Sequence, residues 1–273
     1  MSLLESTKLL LRRYRTVPKR SLGQNFMVEP AVFRSMSDYA SLNRNDVVLD
    51  IGAGLGFLTR YLAKNCKSVL AVESDPRLVE ILCEQLIDLP NVTVIAGNVL
   101  KTPVPSFNKA VSIPPYQISS RLLLWLFNKS FDCAVLIFQR EFANRLMASI
   151  GSEDYGWLTV LAYYYAEVEL LDDIPKVMFY PQPKVDSIIV RLKSRKPSLF
   201  KVRDESMFAK MVQSLFTQRN RKVRNAALPF MKGIRMIPKK EAAELVKVLP
   251  FRDRRVRELA PEDFGALANA ICG

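Results

Sequence analysis

The 273-residue sequence contains no histidine. That excludes His-based acid–base catalysis, Ser-His-Asp and Cys-His nucleophiles, and every metal site built with imidazole. Cysteine is scarce: Cys66, Cys83, Cys133 and Cys272 are far apart and form no C-x-x-C pair. This spacing argues against a zinc ribbon or a thioredoxin-like motif, and no metal is expected. The thiols are expected to be free and buried, in a reducing cytoplasm. Long apolar runs are also missing. No stretch without a charge is longer than the 12 residues of 155–166, and a bilayer needs about 20. The leucine run 9–11 stops at Arg12 and Arg13, too short for a secretory signal core. No membrane association is expected.

What is present is a foldable body with an uneven charge. Hydrophobic residues make up 49% and the net charge is +13. Residues 1–25 hold six basic and one acidic residue, whereas 31–190 hold 14 basic and 17 acidic. Residues 191–257 hold 20 basic and five acidic. A near-neutral body with a basic arm and a strongly basic C-terminal segment points to a polyanionic partner, nucleic acid ahead of an anionic membrane surface.

Ser2 and Glu5 form a capping-box pattern before a short basic helix. A second helix is predicted over 30–40. Apolar strands are then predicted at 47–51, 69–72, 92–96, 110–113 and 134–138. They alternate with helices after the first glycine turn and at 77–85, 121–128 and 142–149. Such alternation predicts an α/β, Rossmann-like, mostly parallel sheet. Two late strands, 168–171 and 187–192, have no evident helix between them, so an antiparallel addition at the sheet edge is expected. Beyond a polar linker at 194–198 the pattern is helical: 204–216, 221–228, 239–248 and 261–271. The expected division is residues 1–193 as one domain and 199–273 as a small all-helical one.

The sharpest local feature is Asp50-Ile51-Gly52-Ala53-Gly54-Leu55-Gly56, after a strand and opening a helix. A dinucleotide site would repeat glycine as G-x-G-x-x-G. Here Phe57 stands at the third position, and G-x-G-x-G suits S-adenosylmethionine better than a pyrophosphate. Glu73 ends the next strand and is placed to accept from ribose hydroxyls. Asn98 follows the third strand, placed to read an adenine edge. Open α/β sheets bind ligands at these strand ends.

Ser112-Ile113-Pro114-Pro115-Tyr116 follows the fourth strand. Prolines remove donors and leave backbone carbonyls free to accept from an exocyclic amine. Tyr116 offers a ring face to a flipped base.

With these pieces the chain resembles the KsgA/Dim family of small-subunit ribosomal RNA adenine dimethyltransferases. The matching segments are Leu22-Gly23-Gln24-Asn25-Phe26, the glycine turn, Pro115-Tyr116-Gln117-Ile118-Ser119, and Gln139-Arg140-Glu141. Further on come Phe179 to Ser187 (reading FYPQPKVDS), residues 219–225, and 258–264. The resemblance runs from about residue 18 to 271. It implies a class I methyltransferase domain and a helical domain that binds RNA or the ribosome. The implied reaction methylates N6 of two adjacent adenines, twice each, in the 3′-terminal hairpin of small-subunit RNA on the immature subunit. The family's cofactor contacts map onto Asn25, Met27, Gly52, Gly54, Glu73 and Asn98, and its base-holding aromatics onto Tyr116 and Phe179. Ile113, Pro114 and Pro115 complete the expected acceptor site; Arg219, Arg221, Lys222 and Arg224 are the expected RNA contacts. A cytoplasmic monomer is expected.

Two positions depart from the family pattern. Asn98 stands where Asp is usual, and an amide still offers an acceptor and a donor. Ile113 stands where the family has Asn, and its side chain accepts no hydrogen bond from N6. Either backbone carbonyls of Ile113 and Pro114 serve, or Ser112 substitutes, or catalysis is impaired. Two other readings stay open: a non-catalytic ribosome-assembly factor on this scaffold, and a resistance-type methyltransferase acting on large-subunit RNA.

Overall fold

The computed structural model describes residues 1–234, 236 and 238–272. Its chain divides into two compact units, residues 1–143 with 169–194, and 144–168 with 195–273.

The first unit opens with helix α1 (Leu3–Arg13), whose Ser2–Glu5 capping box forms as expected. Strand β1 (Phe26–Met27) and helix α2 (Pro30–Tyr39) precede the sheet. Five strands run parallel: β2 (Val47–Ile51), β3 (Ser68–Glu73), β4 (Val92–Ala96), β5 (Lys109–Ser112) and β6 (Cys133–Gln139). Helices α3 (Phe57–Ala63), α4 (Pro76–Gln85) and α5 (Ser119–Phe127) connect them, and the short α6 (Arg140–Asn144) follows β6. After helix α7 (Trp157–Tyr165) come β7 (Ala166–Ile174), β8 (Phe179–Tyr180) and β9 (Ser187–Ser194). The sheet order is β4-β3-β2-β5-β6-β9-β7, with β9 antiparallel to β6 over seven residue pairs. The expected mostly parallel sheet with late antiparallel addition is therefore present. Strands β2, β5 and β6 are almost wholly buried, which is why they read as apolar runs rather than alternating ones.

A second, two-stranded sheet pairs β1 with β8, Phe26 opposite Tyr180 and Met27 opposite Phe179. Runs of two residues carry no periodicity, so this pairing was invisible in the sequence.

The second unit contains α7 and the C-terminal helices α8 (Glu205–Phe216), α9 (Val223–Gly233), α10 (Lys239–Val248) and α11 (Pro261–Cys272). The sequence expectation kept residues 144–168 with the first domain; in the structure they cluster with the C-terminal helices. The reason is α7, which buries Leu158, Val160, Leu161, Ala162 and Tyr164 and so presents almost no polar face. Around it Tyr164 packs at a tilt against Phe208, Tyr155 meets Phe216 edge-on, and Phe216 stacks on Phe264. The Tyr155 hydroxyl donates to the Leu259 carbonyl at 2.7 Å.

Cys66 and Cys133 are buried free thiols, but Cys83 is exposed, contrary to expectation. It lies on the outer face of α4, whose buried residues are Leu78, Ile81 and Leu82. The Cys272 side chain falls outside the described residues. No helix among the described residues is long and apolar enough to cross a membrane.

Candidate cofactor and base site

The ends of β2 and β3 build the first wall. Gly52 adopts φ +74°, and a Cβ there would lie 2.9 Å from Cδ of Pro115. Glycine is thus required both by the backbone and by the close approach of the Pro-Pro turn. Gly54, at φ +59°, lies against the Phe26 ring. Its N–H donates to Glu73 Oε2 at 3.0 Å, while Glu73 Oε1 accepts from the backbone N–H of Ser74 at 2.7 Å and of Asp75 at 2.8 Å. An ionised carboxylate has about four acceptor positions, so roughly one remains for a ribose hydroxyl. The sequence expectation of two hydroxyls on Glu73 did not include these three amides.

Asp50 is buried directly below the turn and accepts from the Thr59 hydroxyl at 2.7 Å. Burial pushes its carboxyl up to about 7, against the Thr59 hydrogen bond and with help from the Glu73 charge.

The segment before β1 closes the site. Asp75 caps α4 through the N–H of Arg77, and its buried carboxylate also receives Lys19 Nζ and Gln24 Nε2, each at about 2.8 Å. The Gln24 side-chain oxygen accepts from the Lys19 N–H at 2.7 Å. Burial works to raise the Asp75 carboxyl, but these hydrogen bonds together hold it below the usual carboxylate value. Neither Gln24 nor Asp75 is among the candidate site residues expected from the sequence. The available signal was Asp75-Pro76, a cap followed by proline at the first helical position.

The result is a cavity of about 770 Å³ lined by Asn25, Met27, Gly52, Gly54 and Glu73 on one side and by Ile113 to Tyr116 on the other. Of the predicted site residues, nine converge here. Asn98 lies in an adjoining cavity of about 530 Å³ that shares Leu22, Gly52, Ser74 and Pro115 with the first. Its side-chain carbonyl accepts from the Leu100 N–H at 3.0 Å, which leaves its NH₂ to donate. Phe33 and Phe57, on α2 and α3, add apolar wall that sequence reading did not assign.

Phe179 is only 2% exposed and is not on the cavity wall; it packs in the same core cluster as Met27 and Phe33, with the half-buried Ile113 against it. Tyr116 does line the cavity. Its hydroxyl lies 2.7 Å from Ser187 Oγ, and burial pushes the phenol up to about 12. Ser112 is fully buried and its hydroxyl is engaged twice within the sheet, accepting from Ile51 N–H and donating to the Leu49 carbonyl. It is therefore spent on joining β2 to β5 and does not replace the amide missing at Ile113.

In the second unit, Arg219 donates to the backbone carbonyls of Ser152 and Glu153 and is built into the fold. Lys222 and Arg224 both pair with Asp253, whereas Arg221 is exposed. Residues 219–224 run beside 252–257, joined by Val223 N–H to Arg254 O, Val256 N–H to Arg221 O, and Arg257 N–H to Arg219 O. Two arginine-rich segments, distant in sequence, thus form one basic strip.

A family model described as ribosomal RNA adenine dimethylase matches residues 16–250. A protein of Methanosarcina acetivorans, "Probable ribosomal RNA small subunit methyltransferase A", is 39% identical over 96% of both chains. A protein of the same description from Thermococcus kodakarensis is 40% identical, covering 93% of this chain and 90% of its own. Among solved structures, a dimethyladenosine transferase from Plasmodium falciparum matches with TM-score 0.74 and 26% identity, covering 89% of this chain and 95% of that one. The 23S rRNA methyltransferase ErmE matches with TM-score 0.63 and 27% identity, covering 91% and 100%. Together with the glycine turn and the Pro-Pro-Tyr turn facing one cavity, these matches mean that the chain belongs to the ribosomal RNA adenine dimethylase family, the rRNA adenine dimethyltransferases.

Proposed function

We propose that this protein dimethylates N6 of two adjacent adenines in the 3′-terminal hairpin loop of small-subunit ribosomal RNA, using S-adenosylmethionine, during subunit assembly. The observation that carries this reading is the convergence of Gly52, Gly54 and Glu73 with Ile113 to Tyr116 around one cavity at the carboxyl ends of parallel strands.

When bound, the cofactor supplies an activated methyl group on a sulfonium. The chain's own residues bind, orient and exclude water. Gly52 and Gly54 let the backbone approach the ligand closely, Glu73 offers its remaining acceptor position to the ribose, and the Asn98 NH₂ donates to the adenine edge. Phe33 and Phe57 keep the wall dry. The Tyr116 ring stacks on the target base, which in a hairpin loop is available unpaired. The carbonyls of Ile113 and Pro114 accept from the N6 amine and favour the positive charge that develops on it. Phe179 acts from behind, paired with Met27 across the two-stranded sheet. No strong general base is needed, consistent with a chain lacking histidine. The basic strip, with Arg221 and Arg224 exposed, holds the RNA backbone.

The apolar Ile113 side chain on the cavity wall favours one second reading, an assembly factor that binds without methylating. Labelled methyl transfer to hypomethylated small subunits, with large subunits as a parallel substrate, separates the cases. Incorporation confined to small subunits supports the proposal; incorporation into large subunits, or none, contradicts it.

A further inference from the structure

The sheet topology brings one hydroxyl to the cofactor end that sequence spacing would not place there. Strand β9 runs antiparallel to β6, so its first residue, Ser187, sits at the carboxyl edge of the parallel strands, opposite Gln139 in register. Tyr116 leaves the end of β5, two strand positions away, and its phenol reaches across the end of β6 to Ser187. Neighbouring strands are about 4.8 Å apart, so the full length of a tyrosine side chain is needed to bridge this gap.

Both ends of Tyr116 are held. At the backbone, Pro115 precedes it and the Ser119 hydroxyl donates to its carbonyl at 2.8 Å. At the tip, Ser187 Oγ is the one partner its hydroxyl has among the described residues. Ser187 is itself immobile: it is 0% exposed and starts a ladder of seven pairs with β6. The preceding residue is also fixed, since the Asp186 carbonyl accepts from Arg140 N–H at 3.2 Å and its carboxylate from Lys176 N–H at 2.8 Å. A tyrosine ring has two soft side-chain torsions. One hydrogen bond at its tip removes the freedom to swing out of the cavity.

We infer that Ser187 is a positioning residue for methyl transfer, holding the Tyr116 ring at the angle from which it stacks on the target adenine. This rests on the function proposed above. The phenol, raised well above neutrality by burial, keeps its proton, so the pair is a neutral hydrogen bond at any working pH. Ser187 touches neither cofactor nor base and acts only through Tyr116. Its loss should slow the chemical step and leave cofactor affinity alone.

The test compares wild type with Ser187→Ala, Ser187→Thr, Tyr116→Phe and the Ser187→Ala/Tyr116→Phe double variant, each saturated with S-adenosylmethionine. Two readouts are taken: single-turnover methylation of hypomethylated small subunits, and quenching of an RNA hairpin carrying 2-aminopurine at the target adenine. Calorimetric cofactor affinity serves as the folding control. Ser187→Ala and Tyr116→Phe should each lower the rate by about tenfold, the size expected for one neutral hydrogen bond. The double variant should lose no more than either single change, because both delete the same bond. Ser187→Thr should recover most of the rate, and quenching should fall in parallel with it. If Ser187→Ala stays within twofold of wild type in both readouts, or if the two losses multiply, the positioning role is overturned. A wild type that quenches the probe yet transfers no methyl contradicts the proposed function instead, and the quenching series still decides the role of Ser187.

Discussion

Asp50 carries the clearest titration signature at the site. Its carboxyl is pushed up to about 7 in the folded chain, against about 3.9 when unfolded. The folded state therefore retains a proton that the unfolded state releases. The contribution of this group to stability is full below about pH 4 and is lost as pH rises through about 7. Urea melts at pH 5 and pH 8 should show wild type losing stability relative to Asp50→Asn, which has no proton to exchange; equal slopes would contradict the assignment. Glu73 has a different double role, because its carboxylate also satisfies three backbone amides. Glu73→Ala should weaken cofactor binding by about 1–3 kcal/mol and lower thermal stability as well. Calorimetry together with a melting curve checks both. At this scale the sequence told which residue types mattered, since the glycine turn and the Pro-Pro-Tyr turn mark themselves by composition. It did not tell what those side chains were already bonded to. The three amides on Glu73, the double engagement of Ser112 and the burial of Phe179 all depend on neighbours that only the folded chain brings near.

Among the elements, the parallel strands were legible because buried strands read as short apolar runs between turn residues. Helix α7 was not, because a helix buried on nearly every side has no polar face to set a period. The segment from Lys19 to Asn25 owes its place to Asp75, 56 residues from Lys19. Asp75→Ala should free this segment. Hydrogen exchange at residues 19–25 should quicken and cofactor affinity should fall by about tenfold, for the loss of a partly buried charge-assisted pair. Unchanged exchange would mean that the segment is held by α1 instead, whose Leu10 and Leu11 pack with Leu55, Leu78 and Ile81. The pairing of 219–224 with 252–257 explains why the C-terminal charge excess is dense enough to act as one surface. Charge reversal at Arg221, Lys222 and Arg224 should reduce RNA affinity and flatten its salt dependence, with cofactor affinity unchanged. Filter binding across a salt series checks this.

On the scale of the whole molecule, the first unit holds the cavity and a net charge of +5, and the smaller second unit carries +8. The division at residues 144–168 was hidden because the chain leaves the first unit, adds α7 to the second, and returns along β7. On the proposed function, the backbone carbonyls of Ile113 and Pro114 take the place of the amide side chain expected from the family pattern. If they suffice, Ile113→Asn should change the methylation rate by less than about tenfold, or 1.4 kcal/mol on the transition-state scale. Tyr116→Ala should cost more, because base stacking contributes about 1–3 kcal/mol and also sets orientation. The most direct measurement is single-turnover methylation of hypomethylated small subunits by the wild-type protein and Ile113→Asn, with the methylated nucleotides mapped by mass spectrometry. The account predicts N6,N6-dimethylation of two adjacent adenines in the 3′-terminal hairpin by both proteins, at rates within about tenfold of each other. A wild type that binds the subunit but transfers no methyl, with activity appearing only in Ile113→Asn, would contradict it.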